Sequence, residues 1–165
     1  MKLTRTCRVS SLVVGIVLTG LAIAGDDEPE WRHRHGHGGG GVTAVGKLGD
    51  PRRVGRTITL EVGDSARFTP STITVKRGET IRFVVKNSGN TKHEMVLGTE
   101  GQLLEFYHTR MQAPETKLPT PNAITVEAGK AGEIIWEFTR FGTMSFGCLL
   151  PGHYDAGERG TVIAQ

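Results

Sequence analysis

The chain has 165 residues, enough for one domain with a single hydrophobic core and some appended sequence. It carries 20 Lys and Arg against 17 Asp and Glu, but Lys2, Arg5 and Arg8 all lie at the extreme N-terminus, and beyond them the two signs balance. A balanced chain sets up no long-range field, which argues against nucleic acid or an anionic lipid surface as its partner.

In chain order, the first feature is an export signal over residues 1–24. A basic n-region is followed by the apolar run Leu12–Leu18 and by Leu21-Ala22-Ile23-Ala24, whose small-x-small end precedes Asp26-Asp27-Glu28. A membrane anchor is the competing reading, but the run is short for a span of about 20 residues, and Thr19 and Gly20 interrupt it. This stretch holds no adjacent Arg pair, and Cys7 lies before the apolar run rather than after it, which disfavours twin-arginine export and lipoprotein anchoring. The expectation is Sec-type export to the periplasm with no membrane span after cleavage. Removal of the signal takes Cys7 with it and leaves Cys148 as a single thiol in an oxidising compartment, with no partner in its own chain.

Residues 25–55 offer little that packs. Trp31-Arg32-His33-Arg34-His35-Gly36-His37 runs into Gly38–Gly41, and glycine at that density predicts a flexible His- and Gly-rich segment. His33, His35 and His37 either capture Cu(II) or Zn(II) weakly or form a solvated polar tail.

The character changes at residue 56, and a domain over 56–165 is expected. Thr57–Val62 alternates polar and apolar residues as a half-buried strand does, and Gly63-Asp64 marks a turn. Ser71–Val75 puts Ile73 and Val75 on one face. Thr80–Lys86 does the same with Ile81, Phe83 and Val85. After the turn Asn87–Asn90, His93–Leu97 reads as another strand. Glu100–Gln112 is the helix candidate, with Leu103, Leu104, Phe106, Tyr107 and Met111 as an apolar stripe, His108 at the surface, and Pro114, Pro119 and Pro121 beyond its end. Strands resume at Ala123–Val126, Glu133–Phe138, Thr143–Cys148 and Gly160–Ile163. About eight short strands separated by turn signals, with one short helix in a loop, predict an all-β antiparallel sandwich.

Three features converge on a site. Met144, Phe146 and Cys148 share one face of a strand, so the lone thiol points to the core side. That strand leads at once into Leu149-Leu150-Pro151-Gly152-His153, a stiff loop that returns an imidazole five positions after the sulfur. His93 opens an earlier apolar strand, beside Met95 on the same face. One Cys with two His suits copper or zinc. Zinc usually takes a fourth strong ligand and cannot carry electrons. Glu94, next to His93, is a candidate for orienting the ligand loops by hydrogen bonding.

At these residues the sequence resembles a known family. Thr143–Ile163 is similar to the C-terminal copper loop of plastocyanin- and azurin-like cupredoxins, and Lys92-His-Glu-Met-Val-Leu-Gly98 resembles the bacterial copper-tolerance branch. The resemblance covers about Thr57 to Gln165. It implies a copper-binding Greek-key β-sandwich with one type 1-like copper ion and with His93, Cys148 and His153 as equatorial ligands. The chain departs from the pattern once: the family's axial Met, five residues after the loop His, is here Glu158. A carboxylate is a hard ligand that favours Cu(II), so its ligation implies a lower reduction potential and a green or red site. Otherwise Met95, Met144 or water holds the fourth position, or nothing does.

The function expected is that of an exported mononuclear copper protein in one-electron transfer, envelope copper tolerance, or both. Sequestration or delivery of copper or zinc without electron transfer is the alternative. The partners expected are the copper ion and a redox partner protein or a copper transporter, with the chain itself a monomer. An oxidase or nitrite reductase would need a second copper centre reached through His residues flanking the Cys, and a binuclear electron-transfer centre would need a second Cys in the loop. The flanking residues are Gly147 and Leu149 and the loop has no second Cys, so no enzyme activity is expected.

Overall fold

The computed structural model describes residues 45–118 and 121–165. The expected signal over 1–24 and His33, His35 and His37 lie outside the described residues. Among the described residues nine strands form two sheets: β1 (Gly46–Leu48), β2 (Arg56–Val62), β3 (Thr72–Val75), β4 (Thr80–Asn87), β5 (His93–Gly98), β6 (Ala123–Val126), β7 (Ala131–Phe138), β8 (Gly142–Gly147) and β9 (Arg159–Ala164). One sheet has the order β1-β7-β4-β2 and the other β3-β9-β8-β5-β6. The all-β sandwich with a single α-helix, α1 (Glu100–Gln112), is as expected for the described residues.

The period-2 alternation fixes which side chains enter the space between the sheets. From the first sheet come Leu60, Val62, Ile81, Phe83, Val85, Trp136 and Phe138; Met95, Leu97, Met144, Phe146, Cys148 and Val162 come from the second. Burial of this set supplies the main driving force for the sandwich. Its register follows from the same pattern, with Ile81 opposite Trp136 and Phe83 opposite Ile134 across β4 and β7.

Two expectations are corrected. The sandwich is mixed rather than antiparallel throughout: β2 pairs parallel with β4, and β3 parallel with β9. Between β2 and β4 the chain passes through β3 in the other sheet, so it returns to the first sheet running the same way. The sandwich also takes in residues before 56, because β1 pairs with β7 and a 3-10 turn follows at Pro51–Arg53. Gly46 is not there for flexibility. A Cβ at that position would collide with the Trp136 ring and the Glu137 carbonyl, so glycine lets the backbone approach.

α1 starts at a capping box. The Thr99 hydroxyl accepts from the Gln102 N–H at 3.2 Å, and the Thr99 N–H donates to the Gln102 side chain at 2.9 Å. Its buried face is Leu103, Tyr107 and Arg110, spaced i, i+4 and i+7. Met111, expected on this face, is 50% exposed, and Arg110 takes the inward position because a buried carboxylate waits for it. His108 is exposed, as expected. Leu103 and Tyr107 join Val96, Leu149 and Tyr154 in a second apolar cluster beneath the loop after β8. No helix among the described residues is long and apolar enough to cross a membrane.

Candidate metal centre

β5 and β8 are antiparallel neighbours, with Val96 opposite Gly147 and Leu97 opposite Phe146. His93 is the first residue of β5 and Cys148 the first after β8, so the register brings both to the same end of the sheet. The chain then turns over Leu150-Pro151-Gly152-His153. Pro sits at the second position, Gly152 has φ of 83° at the third, and the His153 N–H closes on the Leu150 carbonyl at 3.0 Å. Proline's fixed φ and glycine's tolerance of positive φ suit this turn, which carries His153 back toward Cys148. The loop ends where the Cys148 N–H donates to the Glu158 carbonyl at 2.9 Å and the Glu158 N–H to the His153 carbonyl at 3.1 Å.

The structure brings four of the predicted site residues together. Donor atoms of His93, Cys148, His153 and Glu158 all lie within 4.8 Å of one another. Glu158 Oε1 is 2.7 Å from His93 Nδ1, and Glu158 Oε2 is 2.7 Å from His153 Nδ1. Cys148 Sγ is 3.6 Å from the same His153 nitrogen. Cys148 and Glu158 are wholly buried and His93 nearly so, whereas the His153 side chain keeps 28% of its surface. Burial, reinforced by the Glu158 carboxylate, pushes the Cys148 thiol well above its ordinary range; backbone N–H groups of Leu150 and Glu94 act in the opposite direction. A buried carboxylate and a buried sulfur aimed at one point form a site that a cation stabilises. One soft sulfur, two imidazole nitrogens and a carboxylate oxygen are a donor set that fits copper.

Met95 and Met144 are fully buried in the inter-sheet cluster that includes Cys148. Glu94 does not orient a ligand histidine through its side chain; its carboxylate takes an ion pair from Arg110 of α1. On the remote edge of His93, the Thr91 hydroxyl is 3.5 Å from Nε2. Sequence reasoning also missed Arg110 and Tyr107. The available signal was a lone cation at the i+7 position of an otherwise apolar helix face.

Gly147 shows how closely this end is packed. A Cβ there would meet the Tyr154 ring at 2.8 and 2.9 Å, so glycine before Cys148 lets that ring seat against the strand.

No protein-family model matches the chain. It is 41% identical over 147 residues to the copper-resistant cuproprotein CopI of Rubrivivax gelatinosus, covering 89% of this chain and 88% of that protein. It is 33% identical to the protein of the same name from Pseudomonas aeruginosa, covering 74% of this chain and 83% of the relative. Among solved structures, auracyanin from Roseiflexus castenholzii superposes with a TM-score of 0.60 at 24% identity, over 68% of this chain and 98% of auracyanin. Auracyanin A from Chloroflexus aurantiacus, a "blue" copper protein, gives a TM-score of 0.57 at 23% identity, over 67% of this chain and all of that one. These structural likenesses establish the cupredoxin fold, and the sequence identities over most of both chains establish the family: the chain belongs to the CopI copper-resistant cuproproteins.

Proposed function

We propose that this protein binds a single copper ion through His93, Cys148, His153 and Glu158 and handles copper in the cell envelope as part of copper tolerance. The observation that carries the reading is the convergence of these four donors within 4.8 Å at one end of the sandwich. The names of the relatives, copper-resistant cuproproteins, support tolerance as the role. Export to the periplasm by the signal at 1–24 belongs to the same reading, as does a carrier or binding role rather than catalysis.

Each residue has a distinct task. Cys148 supplies the soft sulfur that retains Cu(I), and the two imidazoles suit either oxidation state. Glu158 supplies the hard oxygen that shifts the balance toward Cu(II). Burial of Cys148, His93 and Glu158 keeps water from competing for the donors, and the exposed edge of His153 is the side open to solvent. Copper held there supplies one-electron redox chemistry. A second reading, electron carriage between proteins, is favoured by that partial exposure of His153 beside Leu150 and Pro151. A deletion strain separates the two. Copper sensitivity supports tolerance, while lost respiratory activity with normal copper tolerance supports carriage.

The Glu158 assignment has its own test. In copper-loaded Glu158→Ala the sulfur-to-copper absorption is expected to shift, and preference for Cu(I) to rise at least tenfold, or about 59 mV for one electron. A spectrum and a midpoint indistinguishable from wild type would remove Glu158 from the ligand set.

A further inference from the structure

α1 offers no donor to the centre, yet it grips the neighbours of three donor residues. The Tyr107 ring is buried, and its hydroxyl donates to Asp155 Oδ2 at 2.8 Å while accepting the Gly152 N–H at 3.0 Å. Gly152 immediately precedes His153 and Asp155 follows two positions later, so one hydroxyl holds the loop on both sides of that histidine. The Tyr107 ring also packs on Tyr154 at 5.5 Å between centroids, and Tyr154 lies against Gly147, next to Cys148. One turn further along the helix, Arg110 pairs with Glu94, the neighbour of His93.

We propose that Tyr107 is a positioning residue for the metal centre, its hydroxyl holding the loop from Leu149 to Gly157 in the binding conformation before copper arrives. The inference rests on the reading that His153 is a ligand. The loop needs such a hold because Gly152 and Gly157 have φ of 83° and 93° and, as glycines, many other conformations open to them. Two hydrogen bonds from a buried, packed ring remove that freedom at the positions flanking His153. Pre-ordering a site in this way lowers the entropy lost on binding and keeps the donor set fixed when the charge of the bound ion changes.

Tyr107→Phe keeps the ring and deletes only the hydroxyl. In the metal-free full-length variant, the Gly152 amide is expected to exchange with solvent at least tenfold faster, with the amides of β4 and β7 unchanged. In the copper-loaded variant, transfer of copper to a competing chelator is expected to be at least threefold faster, with a displaced or broadened sulfur-to-copper band. Unchanged exchange at Gly152 would overturn the proposal. So would faster exchange spread evenly through both sheets, which marks a purely structural role. Local loosening with unaltered copper release and spectrum would also overturn it. Failure of the wild-type protein to take up copper removes the ligand reading and this proposal with it, and Gly152 exchange in the metal-free pair still reports whether the hydroxyl holds the loop.

Discussion

Replacing Cys148 with serine is expected to abolish the intense visible absorption of the copper-loaded protein and to weaken copper binding by roughly 100-fold or more. Partners one shell out from a metal already cost about 10–100-fold when removed, and a direct thiolate contributes more than they do. Serine keeps the side chain's shape but offers a hard, reluctantly ionised oxygen in place of the soft sulfur that Cu(I) prefers. The loss should fall hardest on Cu(I), because His93, His153 and Glu158 remain as a set that still accepts Cu(II). The fold should survive. Cys148 lies beyond the last residue of β8 and its backbone bond to Glu158 does not involve the sulfur. A hydroxyl buried in that position costs about 1–3 kcal/mol. Copper titration followed by absorption, with far-ultraviolet circular dichroism as the fold control, checks both halves. Retention of the visible band in Cys148→Ser would mean that the chromophore lies elsewhere.

The largest stability loss is expected at Arg110. Its guanidinium and the Glu94 carboxylate are both more than nine-tenths buried, and each compensates the other's charge. Arg110→Ala leaves Glu94 as an unpaired buried carboxylate inside β5. Breaking a buried pair from one side costs about 3–5 kcal/mol, a large share of the roughly 5–15 kcal/mol that holds a domain of this kind together. The pair is not an efficient stabiliser, since Arg110 Nε makes no hydrogen bond. The double variant Arg110→Met with Glu94→Gln should therefore recover most of the loss, because it removes both charges while keeping volume. Urea unfolding of the metal-free proteins measures this directly. A loss below about 1 kcal/mol in Arg110→Ala would show that water reaches the pair and screens it.

The sequence was most informative where the signal is local. Ile81, Phe83 and Val85 alternate, and so do Met144, Phe146 and Cys148, which is enough to find the strands and their inward faces. The bounds of α1 were legible from the helical stripe before Pro114. The core of the site was legible for a different reason: Cys148, His153 and Glu158 lie within one loop, so the spacing that brings them together is itself a local property. Long-range relations were hidden. Parallel pairing of β2 with β4 depends on which sheet β3 joins, which no alternation within β2 encodes. Gly46 reads as flexible in a glycine-rich stretch until Trp136 is seen beside it. Glu94 and Arg110 are each ordinary surface residues by type, and only the packing of α1 on β5 makes them a buried pair. The same holds for the Tyr107 hydroxyl, whose partners are more than forty positions away.

The proposed ligand set of His93, Cys148, His153 and Glu158 holds one copper ion. Metal analysis of the protein purified from the envelope, followed by copper titration of the metal-free form under visible absorption, tests it most directly. Saturation is expected at one copper per cupredoxin domain, with an intense sulfur-to-copper band that grows in step with loading and vanishes on reduction. Zinc at full occupancy with no copper uptake, or copper bound without that band, would contradict it.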